Sequence, residues 1–278
     1  MSAPPLRSWV LGTLVRRHLL RASLALVASG PALSAQDAHA TRVDSLRRTT
    51  LSVDVSYANF QGSIDPWTSA AIALSRRSAW GSIIGRANLA NRFGTSGTQF
   101  EVDAYPRTGK STYLYLNAGY SQSFIFPEWR FGGELFTSLP NAWEASIGFR
   151  QLQFGGDPVT LYTGAVGGYF GNYWASLRPY VRFKNGGTSA SAGLTLRRYF
   201  EDGENYVGLR ASYGSSPTDN TTPDAVARTN SNSFGLQGSH TLSARYLWNW
   251  SAGRDEEQLS ATRTRTSLTA SVGVKYVF

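Results

Sequence analysis

The chain has 278 residues, 13% of them aromatic, with 28 glycines, no cysteine and a formal charge of +9. Without cysteine it is not a disulfide-stapled scaffold, and thiol redox chemistry and cysteine-ligated metal sites are excluded. Its slightly negative mean hydropathy excludes a helical membrane protein but not a β-barrel, whose inward half is polar.

Arg7, Arg16, Arg17 and Arg21 come without an acid and are followed by ASLALVASGPALSA from Ala22 to Ala35. A basic start, a short apolar run and small residues before a cleavage point predict a secretory signal peptide over 1–35, with Ala40 as the alternative end. A short periplasmic lead would follow over 36–49. The apolar run is too short for a spanning helix, which needs roughly 20 residues, and polar or charged residues interrupt every later apolar stretch. Removing the four leader arginines leaves 23 basic against 18 acidic residues. That modest excess suits anionic surroundings such as lipopolysaccharide, and no basic run or motif points to nucleic acid.

From Thr50 onward apolar residues recur at every second position, the period that separates the two faces of a strand. Leu51, Val53, Val55 and Tyr57 open the series; Ala70, Ile72 and Leu74 follow, then Ile83, Gly85, Ala87 and Leu89 against Arg86 and Asn88. Phe100, Val102 and Ala104 oppose Glu101 and Asp103. Leu114, Leu116 and Ala118 come next, then Trp129, Phe131 and Leu135 against Arg130 and Glu134. Trp143, Ala145, Ile147 and Phe149 oppose Glu144 and Arg150. Val159, Leu161 and Ala165 are read as the apolar set of the following strand. Tyr173, Ala175, Leu177 and Val181 then oppose Arg178 and Arg182. Ala190 to Leu196 oppose Arg197, and Val207, Leu209 and Ala211 oppose Arg210. Phe234 and Leu236 mark one short strand, and Tyr246, Trp248 and Trp250 another.

The last segment, TRTSLTASVGVKYVF (Thr264 to Phe278), is the clearest: Leu268, Ala270, Val272, Val274, Tyr276 and Phe278 alternate with small or polar residues and Lys275. A closing strand that stops on an aromatic fits the signal read by the barrel-assembly machinery, with Tyr276 and Phe278 as its candidate residues. The expected fold is therefore all-β: a transmembrane antiparallel up-and-down barrel over 50–278, with fourteen strands, or twelve if two weak ones merge.

With both ends on the periplasmic side, parity makes SRRSAW, PRTGKS, SLPNA, FGN, EDGEN and SHTLSA periplasmic turns. Gly214 to Ser231 and GRDEEQLSATR from Gly253 become external loops. Trp80 and Trp143 are expected in the periplasmic aromatic belt, Trp67 and Trp129 in the external one. Alternation also points Arg86, Glu101, Asp103, Arg130, Glu134, Glu144, Arg150, Arg178, Arg182, Arg197, Arg210 and Lys275 inward, as lumen-lining candidates. A base on the lipid face at mid-depth would cost roughly 2–4 kcal/mol.

Four blocks in order resemble the YaiO-type outer-membrane β-barrel family: Arg86 to Ser121, Phe126 to Phe154, Val159 to Val181, and LTLRRYF from Leu194 to Phe200. The likeness implies an outer-membrane barrel of poorly defined biochemical role, in some members associated with glycan handling. It offers no catalytic residues to carry over, and a helical repeat domain of the kind some members carry is not expected here.

Catalytic chemistry has thin support. Three histidines exist, His18, His39 and His240, and the last could form a dyad with Ser239 only if neighbours on a turn converged. A solvated turn residue is the stronger reading, so no enzyme, cofactor or metal is expected. Glu101 and Asp103 could serve acid–base work or hold a cation, but Arg86 and Asn88 point the same way and favour ion-paired filling. Arg130 with Glu134 and Glu144 with Arg150 are read likewise. GAVGGYFG near Gly164 lacks the strand–loop–helix setting of a phosphate loop and is read as curvature. The acids at Asp255 are read as a solvated loop rather than a cation site on lipopolysaccharide. The leading functional expectation is a small conduit or binding barrel for anionic or sugar-like solutes of the envelope or exopolysaccharide. Alternatives are a plugged structural or assembly barrel, then a lipid hydrolase, then a soluble β-sandwich. Outer-membrane lipid, lipopolysaccharide, the assembly machinery and a glycan or anionic solute are the expected partners.

Overall fold

The computed structural model describes residues 48–278 except 157, 185–186, 201, 219–222, 224–225 and 227. The expected leader and nearly all of the expected lead lie outside the described residues.

Fourteen strands follow one another: β1 (Thr49–Phe60), β2 (Trp67–Ser78), β3 (Gly81–Arg92), β4 (Thr95–Pro106), β5 (Thr112–Ser121), β6 (Trp129–Leu139) and β7 (Trp143–Gln153). The second half comprises β8 (Val159–Phe170), β9 (Tyr173–Lys184), β10 (Gly187–Tyr199), β11 (Tyr206–Gly214), β12 (Asn230–Thr241), β13 (Tyr246–Gln258) and β14 (Thr264–Val277). Each pairs antiparallel with its chain neighbours, and β1 pairs with β14, so the sheet is a closed barrel. The seam runs from Thr50 opposite Val277 to Phe60 opposite Ser267, and the Phe278 N–H donates to Thr49 O at 3.0 Å. Closure is what hydrocarbon demands, because an unpaired peptide group there costs several kcal/mol and a ring has no free edge.

Burial is inverted relative to a water-soluble protein. Ile147 is 73% and Phe100 63% exposed, whereas Glu134 is 2% and Asp103 3%. The apolar stripe therefore faces out and the polar stripe in. Outward rings gather at both rims. At the end that holds the chain termini, Trp143 meets Phe170 at 5.4 Å and Tyr246 meets Tyr276 at 5.1 Å. At the opposite, loop end, Tyr120 meets Trp129 at 4.4 Å and Tyr162 meets Phe183 at 5.6 Å.

Several expectations need correction. On β8 the inward set is Val159, Leu161 and Ala165, while Tyr162, Val166 and Phe170 face out. Leu152, Val159 and Leu161 pack inside against Phe154 and Val226, so Val226 of the long connection after β11 covers this apolar patch. The stretch from Gly253 to Gln258 is not a loop but the upper part of β13; only 259–263 connects it to β14. β12 likewise runs through His240 to Thr241, leaving 242–245 as the turn. Trp67 faces the interior, 4.6 Å from the Phe60 ring, instead of joining the outer belt. The β3–β4 hairpin turns on two residues, Phe93 (φ 55°) and Gly94 (φ 69°), both in the left-handed region that matches the twist of the strands.

Candidate functional site: the barrel interior

Two buried carboxylate knots hold the middle of the wall between β3 and β9. In the first, Glu101 accepts from Arg86 Nη1 at 2.9 Å and Asn88 Nδ2 at 3.0 Å and forms an ion pair with Arg130 Nη1 at 2.8 Å. Asp103 accepts from Arg86 Nη2 at 3.0 Å, the Tyr115 hydroxyl at 3.1 Å and Asn117 Nδ2 at 2.6 Å. In the second, Glu134 accepts from Arg150 Nη2 at 2.6 Å, Ser146 Oγ at 2.5 Å, and Arg178 Nη1 at 2.8 and 2.9 Å. Arg178 stands on β9 and Glu134 on β6, so this knot spans three strand intervals.

The expected Arg130–Glu134 and Glu144–Arg150 pairs do not form. At about 3.3 Å per residue, positions four or six apart on one strand are roughly 13 or 20 Å apart. Their side chains find partners sideways instead: Arg130 on Glu101, Arg150 on Glu134, and Glu144 accepting from the Tyr113 hydroxyl at 3.4 Å. Arg182 Nη1 donates to Val226 O at 3.0 Å, tying β9 to the long connection. Arg197 lies 5.2 Å from the Trp174 ring centroid and 4.6 Å from that of Tyr206. Among the described residues, half-buried Arg210 and Lys275 make neither a hydrogen bond nor an ion pair. Tyr276 and Phe278, 4.9 Å apart ring to ring, occupy the rim at the terminal end.

Five of these arginines face a glycine across the strand pair: Arg130 with Gly119, Arg150 with Gly132, Arg178 with Gly193, Arg197 with Gly208 and Arg210 with Gly235. A Cβ on Gly132 would lie 2.6 Å from Arg150 Cδ, and one on Gly208 2.9 Å from Arg197 Cγ. At Gly119, Gly132 and Gly208 the missing side chain is what lets the arginine stem lie along the wall. Sequence reading weighed only the glycines near Gly164, as curvature, and missed this; the available signal was an arginine and a glycine equidistant from a turn.

Large inward side chains crowd one arc. The opposite arc, from β12 through β14 to β2, is mostly small at mid-height: Ser233, Gly235, Ser251, Gly253, Thr269, Ser271, Ser56, Ala58, Ser69 and Ala71. At the terminal end two aromatic groups fill the interior, Tyr105, Tyr113 and Phe136 with Ala73, Ile84 and Tyr115, and Trp174, Tyr199 and Tyr206 with Tyr169. At the loop end Glu257 receives Arg228 at 3.0 Å and Arg265 at 2.5 Å, and Arg265 stacks 4.8 Å from the Trp67 ring. Between these levels lies a cavity of about 390 Å³ bounded by β9–β14, β1 and Trp67, lined by serines, threonines, glycines, Arg178, Arg210, Arg228, Asp255, Glu257 and Arg265.

Ser239 and His240 do not converge. Ser239 is inward and buried, whereas His240 lies on the other face, its ring 5.9 Å from that of Trp248. Among the described residues there is no cluster of three metal-ligating side chains.

The barrel resembles solved membrane proteins in fold. A channel described as the CymD monoaromatic hydrocarbon channel superposes with a TM-score of 0.57 at 8% identity, over 84% of this chain and 89% of that one. The Acinetobacter baumannii outer membrane protein Omp33 gives 0.51 at 11% identity, over 84% and 99%. No curated protein matches the chain. The family model of the YaiO membrane beta barrel domain matches residues 48–219, which carries the match through β11 and leaves β12–β14 outside it.

Proposed function

The chain belongs to the YaiO membrane beta barrel family, and from that premise we propose that it is an outer-membrane barrel that admits small anionic or sugar-like solutes into its extracellular half. The cavity of about 390 Å³, walled by hydroxyls and guanidiniums, carries this reading. Hydroxyls exchange hydrogen bonds with sugars, and guanidiniums present paired donors to carboxylates and phosphates. The long 215–229 connection faces the cell exterior in this reading, and the terminal end faces the periplasm, reached after removal of the leader. Tyr276 and Phe278 engage the assembly machinery, lipopolysaccharide and lipid surround the outer face, and a glycan or acidic solute of the envelope is the cargo. Nucleic acid has no place in it.

Aromatic filling at the terminal end favours a second reading, a plugged barrel that binds without conducting. Planar-bilayer recording and calorimetry on detergent-folded protein separate the two. Saturable binding of acidic sugars with small anion-preferring steps is the expected result. Binding without current leaves the plugged receptor, while cation preference, or neither binding nor current, overturns the solute reading.

A further inference from the structure

Among the described residues, one cation and one anion lining the cavity make no hydrogen bond and no close ion pair, although each feels the other's charge. Arg86, Arg130, Arg150, Arg178, Arg228 and Arg265 are engaged by carboxylates. Arg182 is held by a carbonyl and Arg197 by two rings. Arg210 has none of these, and Asp255 accepts no hydrogen bond and forms no ion pair; both line the cavity.

Their placement is specific. Arg210 stands opposite Gly235 on β12. Asp255 stands opposite Ser233, two residues further along the same strand but on its other side. The two therefore flank β12, with backbones roughly 12 Å apart, two strand spacings across and two residues along. Between them Gly235 pairs directly with Gly253, so no side chain rises from the wall at that point and a recess remains. Arg210 and Asp255 form no ion pair, so their charged atoms stand more than 4 Å apart. Half-buried charges held apart lose hydration without gaining a close partner, and one small ligand bearing both signs would bridge the pair.

We infer that this recess is a receptor for a small zwitterion, its acid group on Arg210 and its ammonium on Asp255. The inference rests on the reading that the cavity takes up small polar solutes, and it narrows them to those that also carry an amine. Ser212 and Ser233, hydrogen-bonded to each other at 2.7 Å, border the recess and supply further acceptors.

A ruler of ω-amino acids from glycine to 6-aminohexanoate tests it by calorimetry on the detergent-folded full chain, against the carboxylic acid and the amine of each length. One chain length should bind about tenfold or more tighter than either single-charge analogue, the effect of one added charged contact. Asp255→Asn should reduce that zwitterion to the level of its acid, and Arg210→Gln to the level of its amine. Heat-dependent gel mobility verifies that each variant is folded, and the wild-type series alone decides if one is not. Equal binding of zwitterion and acid overturns the receptor and leaves the solute reading standing. No binding by zwitterions, acids or sugars overturns both.

Discussion

Replacing Glu134 by Gln is the sharpest test of how the interior is held. The carboxylate is 2% exposed and accepts charge-assisted bonds from Arg150 at 2.6 Å and Arg178 at 2.8 Å, with Ser146 at 2.5 Å. Charged hydrogen bonds contribute about 1.5–3 kcal/mol each, and those converging on one group do not add. Glutamine keeps the volume but removes the charge, and its amide turns donors toward two guanidiniums. Stripping one partner from a buried ion pair costs about 3–5 kcal/mol, so urea unfolding from lipid vesicles, followed by tryptophan fluorescence, should shift down by about 1 M or more. Glu144→Gln is the control: that carboxylate is half-buried and its one side-chain bond, from Tyr113, is 3.4 Å long, so its shift should stay below about 1 kcal/mol. Unfolding midpoints that agree for parent, Glu134→Gln and Glu144→Gln would refute the knot as a structural element.

The facing of β14 predicts that Val272→Arg, on the exposed stripe, impairs assembly by roughly 2–4 kcal/mol, while Lys275→Val is tolerated; equal amounts of folded barrel in membranes would contradict it. Gly132→Val should displace Arg150, because a Cβ there meets Arg150 Cδ at 2.6 Å and Phe149 O at 2.7 Å, and the loss should fall within the about 1–3 kcal/mol typical of overpacking, read by the same urea assay. Phe278→Ser should slow barrel assembly in cells yet leave refolding into detergent unchanged, and a matching delay in detergent would assign Phe278 to stability rather than recognition.

Alternation alone carried the fold to fourteen strands and placed the charged stripe inside, because one buried face fixes every second side chain. It failed on β8, where Val159 and Leu161 face inward. The rule that apolar means lipid-facing breaks where a connection folds inward and brings its own apolar partner, here Val226. It also failed above Gly253, because Asp255 and Glu257 look like loop residues until Arg228 and Arg265 are placed beside Glu257. Partners were the least legible part. A period of two names the face of Arg178 but not Glu134 three strands away, and that proximity exists only after the sheet curls shut. Trp67 was misplaced for the same reason: its strand parity points inward, and the rings and guanidinium that receive it come from β1, the β3–β4 turn and β14.

The uneven distribution of bulk around the ring has a mechanical consequence. Free space is pushed off-axis into a crescent against the smooth serine–glycine side, while the scaffold is tied together on the other. Cavity size and robustness are thus governed by separate sectors of the same cylinder. Enlarging residues on the smooth side would shrink the cavity without loosening the frame, and trimming the crowded side would loosen the frame before it enlarged the cavity.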